Sequence, residues 1–298
     1  MSEARLVNLE DRGVLAVSGE DRVAFLQGLV SNDVERVTPD QAVYAAFLTP
    51  QGKFLFDFIV VDDGERLLLD CEAARLADFA KRLRIYKLRS KVELTDVSES
   101  FQVFAVHGDG ALAALGWASG AAAGASVPCL GGLAIADPRL AALGARLILP
   151  VNANLSSLSL ALGTLDDYDR RRIQLGIPDG SRDMEVDKTV LLEAGFDELN
   201  GVDWKKGCYM GQELTARTKS RGLVKRRLMP ITTDGPLPPP GTRITLDGRD
   251  AGEIRSTQGD MAMAMVRLNM LEQTAGGAAV LTAGEMTVTP KKPDWATF

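Results

Sequence analysis

Lys205-Lys206-Gly207-Cys208-Tyr209-Met210-Gly211-Gln212-Glu213, running on through Leu214 to Arg221, is the stretch from which the chain reads most clearly. Two glycines bracket a cysteine and an aromatic, and good helix formers follow. Gly207 is able to take a tight or positive-φ turn that presents Cys208. Gly211-Gln212-Glu213 reads as the first turn of a helix, with Glu213 favouring the positive end of the dipole. A thiol just before a helix start, with Lys205 and Lys206 beside it, is expected to ionise below the free-cysteine value of about 8.5. Cys208 is therefore a candidate reactive thiolate. The competing reading is a small buried hydrophobe.

Composition bounds the alternatives. A chain of 298 residues and 32.0 kDa buries a sizeable core and should form two or more compact units. Its net charge of -6 and pI near 5.1 argue against direct general nucleic-acid binding. Cys71, Cys129 and Cys208 are far apart, which suits neither a disulfide framework nor a zinc or cluster cradle. The single histidine, His107, ends an apolar strand-like run and reads as structural, so no metal site is expected. No stretch approaches the roughly 20 apolar residues of a membrane span. The opening Met1-Ser2-Glu3-Ala4-Arg5 has no apolar core, so a cytoplasmic protein without a membrane anchor is expected.

Along the chain, residues 14–17 read as a strand and 21–30 as an amphipathic helix burying Phe25, Leu26 and Leu29. Residues 44–48, 54–61 and 66–69 read as strands, separated by Pro50-Gln51-Gly52 and Asp62-Asp63-Gly64 turns. Residues 72–88 form a helix with Leu76, Phe79, Ala80 and Leu83 on one face. Its other face is basic, from Lys81 to Lys91. It is either a solvated face or a rim that pairs with an anionic partner. Residues 91–96 and 101–107 read as strands leading into an alanine-rich α/β unit. That unit lacks the glycine spacing of a dinucleotide fold. Thr164 caps a helix over 164–175, with Asp167 closing a capping box. Residues 243–246, 253–257, 261–268 and 286–289 are short, turn-bounded strands of a small β-barrel, with Met261, Met263 and Met265 in its core.

Lys206-Gly207-Cys208-Tyr209-Met210-Gly211-Gln212-Glu213 resembles the K-G-C-Y-x-G-Q-E signature of the YgfZ-type folate-binding proteins. These are relatives of the glycine-cleavage aminomethyltransferase implicated in making or repairing iron–sulfur enzymes. The resemblance extends to residues 19–28 with Ser31-Asn32-Asp33-Val34, to 83–92, and to Arg172-Ile173-Gln174-Leu175-Gly176-Ile177-Pro178. It implies an α+β fold, with mixed α/β domains around a central folate cleft and a C-terminal small β-barrel. The implied divisions are 1–107 (completed by part of 160–222), 108–160, a motif-bearing 161–222, and the barrel at 223–298.

Residue by residue, the resemblance makes Glu193, in Glu193-Ala194-Gly195, the ligand of the pterin ring. A carboxylate accepts two parallel N–H bonds, although a plain loop acid remains the alternative. Arg226, in V-K-R-x-L, is placed near the ligand. Tyr209 and Lys206 join the folate-binding set from within the motif. Asp57 matches one aspartate of the transferase's G-G-I-L-D-D segment, with Phe56 standing where the other would be. Asp57 faces a pocket or is a solvated strand position. Asn32 and Asp33 read as turn or cap residues.

The expected function is a tetrahydrofolate-binding accessory factor for iron–sulfur enzymes, including tRNA-modifying ones, with Cys208 at the edge of the cleft. Folate, iron–sulfur enzymes and assembly proteins are the expected partners, and a monomer is expected. Two alternatives stay open: a one-carbon transferase using Asp57, and a non-catalytic partner-binding scaffold.

Overall fold

The computed structural model describes residues 3–117, 121–274 and 280–298. Met1, Ser2 and residues 118–120 of the alanine/glycine run lie outside it. Contacts divide the chain into two compact units. One comprises Met1–Leu48, Leu55–Tyr168 and Asn200–Met210, the other Thr49–Phe54, Asp169–Leu199 and Gly211–Phe298.

The first unit is built on near-continuous apolar strands. Phe54–Asp62 is buried along almost its whole length, as befits a strand covered on both faces. It belongs to a five-stranded sheet in the order Val43–Leu48, Phe54–Asp62, Leu67–Glu72, Arg12–Ser18, Glu93–Asp96. The last four pair antiparallel, with Ile59 opposite Asp70, Leu15 opposite Leu69 and Ala16 opposite Thr95. The helix Leu76–Lys87 covers one face and buries Leu76, Phe79, Ala80 and Leu83, the residues its periodicity selects. Phe79 stacks on Phe56, with ring centroids 4.8 Å apart. The expected helix at 21–30 is shorter, Arg22–Gln27, and begins beyond Gly19, whose φ of 101° is outside helical space.

Residues 108–160 do not form a sheet of their own. Their strands join a six-stranded sheet in the order Ala161–Leu162, Arg5–Asn8, Phe101–His107, Ala145–Pro150, Gly132–Ala136, Ser126–Cys129. Leu6 lies opposite Val106 and Leu147 opposite Phe104, so the apolar cluster of this sheet joins Ala4, Leu6, Phe104 and Val106 to Ala134, Leu147 and Leu149 of the segment. Within this unit Asp70, fully buried, accepts from Arg12 Nε at 2.6 Å and lies 3.0 Å from Arg146 Nη1. Pairing offsets part of the cost of taking these charges out of water. His107 is buried edge-on to Tyr168, at 5.9 Å.

The second unit holds a closed barrel of six strands: Arg226–Thr233, Met261–Arg267, Arg249–Gln258, Arg243–Leu246, Leu281–Ala283 and Met286–Pro290. Closure leaves no free sheet edge. Its interior is filled by Met229, Ile231, Ile244, Leu246, Ile254, Ala262, Ala264, Val266, Leu281 and Val288. This corrects the expected role of Met261, Met263 and Met265. They do share a face, but Ala262, Ala264 and Val266 are the inward set, and small side chains suit the crowded interior of a narrow barrel.

Arg172, 1 % exposed, fixes the turn that follows its helix. It donates to Asp183 at 2.7 Å, to Asp169 at 2.5 Å and to Ser256 Oγ of a barrel strand at 2.7 Å. Asp183 also accepts from Asp179 N at 2.9 Å and Ser256 N at 3.0 Å. Among the described residues, no helix is long and apolar enough to cross a membrane.

Candidate functional site

Two groups of singled-out residues come together, one in each unit. In the first unit, the stretch 200–210 is folded onto residues 28–34. Ser31 Oγ donates to Gly201 O at 2.6 Å, Asp203 N to Ser31 O at 3.1 Å and Met210 N to Gly28 O at 3.1 Å. Asn32 donates from its amide to Tyr44 O at 2.6 Å and to Asn200 O at 2.7 Å. Asp33 caps a short turn by accepting from Glu35 N at 3.1 Å. The turn and cap roles expected for Asn32 and Asp33 thus hold the motif in place. Asp203 Oδ1 accepts from Lys205 N at 2.6 Å and Lys206 N at 2.8 Å, an Asx turn that opens the motif.

Lys206 is buried, and its ammonium donates to Val30 O at 2.8 Å and Asn32 O at 2.6 Å. Burial pulls its pKa down to about 8. Two of its three donors are thus committed to backbone carbonyls of its own unit, where they fix the motif rather than reach out. It also lies 5.3 Å from the centre of the Tyr209 ring, which is itself buried.

Between these anchored residues, Cys208 is exposed and free. The small-hydrophobe reading of this thiol falls away. Gly207 does not take a positive φ, and a Cβ there would meet nothing. The left-handed glycine is Gly211, at φ 81°, immediately before the helix Gln212–Ser220.

Asp57 is buried and accepts from Tyr44 OH at 2.8 Å, which excludes the solvated reading. Tyr44 was not singled out from the sequence, although a tyrosine in an apolar strand signals a hydroxyl in need of a partner. Phe56 points to the opposite face of the strand, stacked on Phe79 with the Arg75 guanidinium 4.2 Å from its ring centre.

In the second unit, Glu193 lies on the single turn Leu191–Ala194, which ends at Gly195 with φ 72°. A Cβ at Gly195 would strike the Trp295 ring at 2.6 Å, so only glycine fits. Arg226, the first residue of its barrel strand, donates from Nε to Glu193 Oε1 at 2.7 Å and from Nη2 to Oε2 at 3.1 Å. Glu193 Oε2 also accepts from Val190 N at 3.2 Å. The hydrogen bonds to Glu193 hold the Arg226 pKa above its ordinary value. The next residue, Arg227, donates to Leu192 O at 2.8 Å and to Glu198 at 2.6 Å. Strand and turn are therefore fixed to each other by consecutive arginines. Beside them lies a cavity of about 300 Å³ lined by Arg226, Arg243, Arg255 and Arg267 with Glu185, Asp250 and Glu253.

Among the described residues, no group of three or more His, Cys, Asp or Glu side chains is placed to hold a metal ion.

Comparison with known proteins adds kinship to this geometry. Residues 1–125 match the GCVT N-terminal domain, and residues 225–298 match the C-terminal beta-barrel domain of CAF17. The mitochondrial iron–sulfur cluster assembly factor IBA57 of Mus musculus is 33% identical, over 96% of this chain and 84% of the relative. Its counterpart in Homo sapiens is 32% identical, with the same shares covered. The crystal structure of glycine cleavage system aminomethyltransferase T from Bartonella henselae shares the fold. It superposes with a TM-score of 0.79 at 16% identity, over 99% of this chain and 87% of that one.

Proposed function

Because the chain belongs to the IBA57 family of iron–sulfur cluster assembly factors, we propose that it helps to build or repair iron–sulfur clusters on client enzymes, tRNA-modifying ones among them, and binds tetrahydrofolate or a derivative in doing so. The client side rests on kinship. The folate side rests on one observation, the two-point pair between Glu193 and Arg226.

A pterin carries a 2-amino group beside a ring N–H, and a carboxylate of fixed orientation meets both. Glu193 is oriented by Arg226 and Val190 N; Oε1 has room for one pterin N–H, while Oε2 already accepts from Arg226 Nη2 and Val190 N, so the second N–H would displace Arg226 Nη2. Arg226 uses Nε and Nη2 on Glu193 and keeps Nη1 for an anionic group of the ligand. The residues thus fit a pterin carrying a carboxylate tail. Bound tetrahydrofolate would supply a one-carbon carrier. Cys208, exposed on an anchored turn, is the thiol we assign to the accessory role.

The transferase reading draws on Asp57, a buried carboxylate held by Tyr44. It is the weaker reading, because Phe56 is packed into the core on the other face of the strand and leaves Asp57 without the transferase's second acid.

Calorimetry with tetrahydrofolate tests the proposal. Wild type should bind, and Glu193→Ala should lose about 1–3 kcal/mol of affinity. Absence of binding to wild type would remove folate from the function. In cells lacking the native family member, wild type should restore iron–sulfur enzyme activity and Cys208→Ala should not.

A further inference from the structure

Residues 81–91 contain Lys81, Arg82, Arg84, Lys87, Arg89 and Lys91 and no acid, in a chain of net charge -6. Without them the acid excess would double. Arg82 is paired with Asp78 at 2.9 Å, Lys91 is paired with Glu20, and Arg84 donates to Leu94 O at 3.0 Å. Lys81, Lys87 and Arg89 have no acidic partner among the described residues. Lys81 and Arg89 are exposed and Lys87 is half-buried. Asp21 lines the same groove as Leu88 and Arg89, with its carboxylate accepting from Lys91 N at 2.7 Å, so basic groups still outnumber acids on this surface.

Two aliphatic side chains stand among these charges. Ile85 is 65% exposed and Leu88 is 88% exposed, three residues apart at the end of the helix Leu76–Lys87. The backbone at Leu88 has φ 44° and ψ -110°, in a turn closed by Ser90 N donating to Lys87 O at 2.8 Å. That conformation at the second position of a tight turn belongs to glycine. A leucine there carries backbone strain while its side chain gains nothing from burial, and such outliers point to function. None of the residues assigned to folate or to the thiol lies here.

We infer that this helix end docks an acidic segment of a partner protein, whose apolar side chain covers Ile85 and Leu88 while its carboxylates meet Lys81, Lys87 and Arg89. Charge complementarity selects an acidic occupant. A membrane fits less well, since two aliphatic side chains offer little to insert. Nucleic acid fits less well too, because the aromatic of this stretch, Tyr86, is packed edge-on to Phe47, with centroids 6.1 Å apart, and does not present a stacking face.

The probe is a capped, fluorescent helical peptide with glutamates flanking two leucines, titrated against the full chain by anisotropy. Wild type should bind it. Leu88→Gly, and the pair Lys87→Glu with Arg89→Glu, should each weaken binding by at least about tenfold, or about 1.4 kcal/mol. A peptide of equal charge with serines for the leucines should bind wild type about as poorly. Leu88→Gly suits the turn, so its melting temperature should not fall, which separates lost docking from lost folding.

Equal affinity for the leucine and serine peptides overturns the proposal, as does no binding of either. Leu88-dependent binding of phosphatidylserine vesicles or single-stranded RNA in place of the peptide overturns it, and so does Leu88-dependent self-association. In the rescue assay, Leu88→Gly should lower iron–sulfur enzyme activity at equal protein level, and full rescue would count against the docking role. Failure of wild type itself to rescue would instead reject the assembly reading, leaving the peptide to decide this surface.

Discussion

Arg226 grips Glu193 at two points, with Nε 2.7 Å from one carboxylate oxygen and Nη2 3.1 Å from the other. The two residues are 33 positions apart in the chain, yet planar fork and planar carboxylate meet in the geometry that favours arginine over lysine. The pair therefore orients the carboxylate and, at the same time, competes with any ligand for its lone pairs.

Arg226→Lys should separate these two effects. Lysine keeps the charge and loses the fork, so the orientation of Glu193 is relaxed. The Arg226 side chain is 35% exposed, so the stability cost should stay within about 1 kcal/mol. Tetrahydrofolate affinity should fall by about tenfold if orientation governs binding. An unchanged Kd by calorimetry would show that Glu193 needs no help from Arg226.

Arg172 should behave quite differently. It is buried with Asp183, and the two hold the turn after the helix against Ser256 of the barrel. Truncating one partner of a buried pair leaves an uncompensated charge and costs about 3–5 kcal/mol. Arg172→Ala is therefore expected to lower the midpoint of denaturant unfolding sharply. A loss within about 0.5 kcal/mol, the range of ordinary surface substitutions, would mean that Arg172 is no keystone of this unit.

Much of this fold was legible because its signals are local. Leu76, Phe79, Ala80 and Leu83 repeat at helical spacing and are all buried. Thr164 and Asp167 exchange backbone-to-side-chain bonds at 3.1 Å in each direction, as the capping pattern requires. What escaped the sequence depends on choices that periodicity cannot make. Alternation placed Met261, Met263 and Met265 together, but Ala262, Ala264 and Val266 are equally apolar, and only closure of the barrel selects which set faces inward. The pairing of Arg5–Asn8 with Phe101–His107 spans too much chain for any local pattern to reveal. Resemblance singled out Glu193 and Arg226 separately, and the fold brings the two together as an ion pair that neither short motif announces. The role of Lys206 was not legible, because no local pattern shows that its ammonium is turned onto Val30 O and Asn32 O.

Lys206 makes a pH-dependent contribution whose sign is opposite to that of a lysine gaining a salt bridge. Burial lowers its folded-state pKa from 10.5 to about 8. Between those values the unfolded chain binds more protons than the folded one, so stability rises with pH across that window. Below about pH 8 both states are protonated, and the cost of burying the charge is constant. Measured against Lys206→Met, wild-type stability should therefore improve from pH 8 upward. A flat difference from pH 7 to 10 would refute the depressed pKa.

The three cysteines should react in order of exposure. Cys208 is exposed, Cys129 half-buried and Cys71 buried. Burial raises the Cys129 thiol above its ordinary value and pushes Cys71 up to about 12, so both lack thiolate as well as access. Alkylation followed by mass spectrometry should label Cys208 first, and bound tetrahydrofolate should slow it if the thiol borders the ligand. If Cys208 reacts no faster than Cys129, its assignment as the reactive thiol must be given up.

Phe56 and Asp57 test whether this chain keeps a dormant transferase. They are neighbours on one strand and therefore point to opposite faces. Phe56 fills the core against Phe79 and under Arg75, while Asp57 accepts from Tyr44 OH at 2.8 Å on the other side. Restoring the second acid by Phe56→Asp would thus place a carboxylate in the apolar core rather than beside Asp57. The change removes a packed ring, worth about 3–5 kcal/mol on large-to-small replacement, and buries a carboxylate against the Phe79 ring, with the Arg75 guanidinium the nearby cation that the ring now meets. The variant should be severely destabilised and should gain no activity with an aminomethylated carrier protein and tetrahydrofolate. Asp57→Asn is the milder probe: it preserves shape and leaves Tyr44 OH an amide oxygen to donate to. The bond from Tyr44 OH becomes one to a neutral acceptor, so the change should cost no more than about 1.5 kcal/mol, and it should leave iron–sulfur rescue intact if Asp57 serves packing alone. Methylene-tetrahydrofolate formation by wild type, lost in Asp57→Asn, would instead establish the transferase and displace the accessory-factor reading.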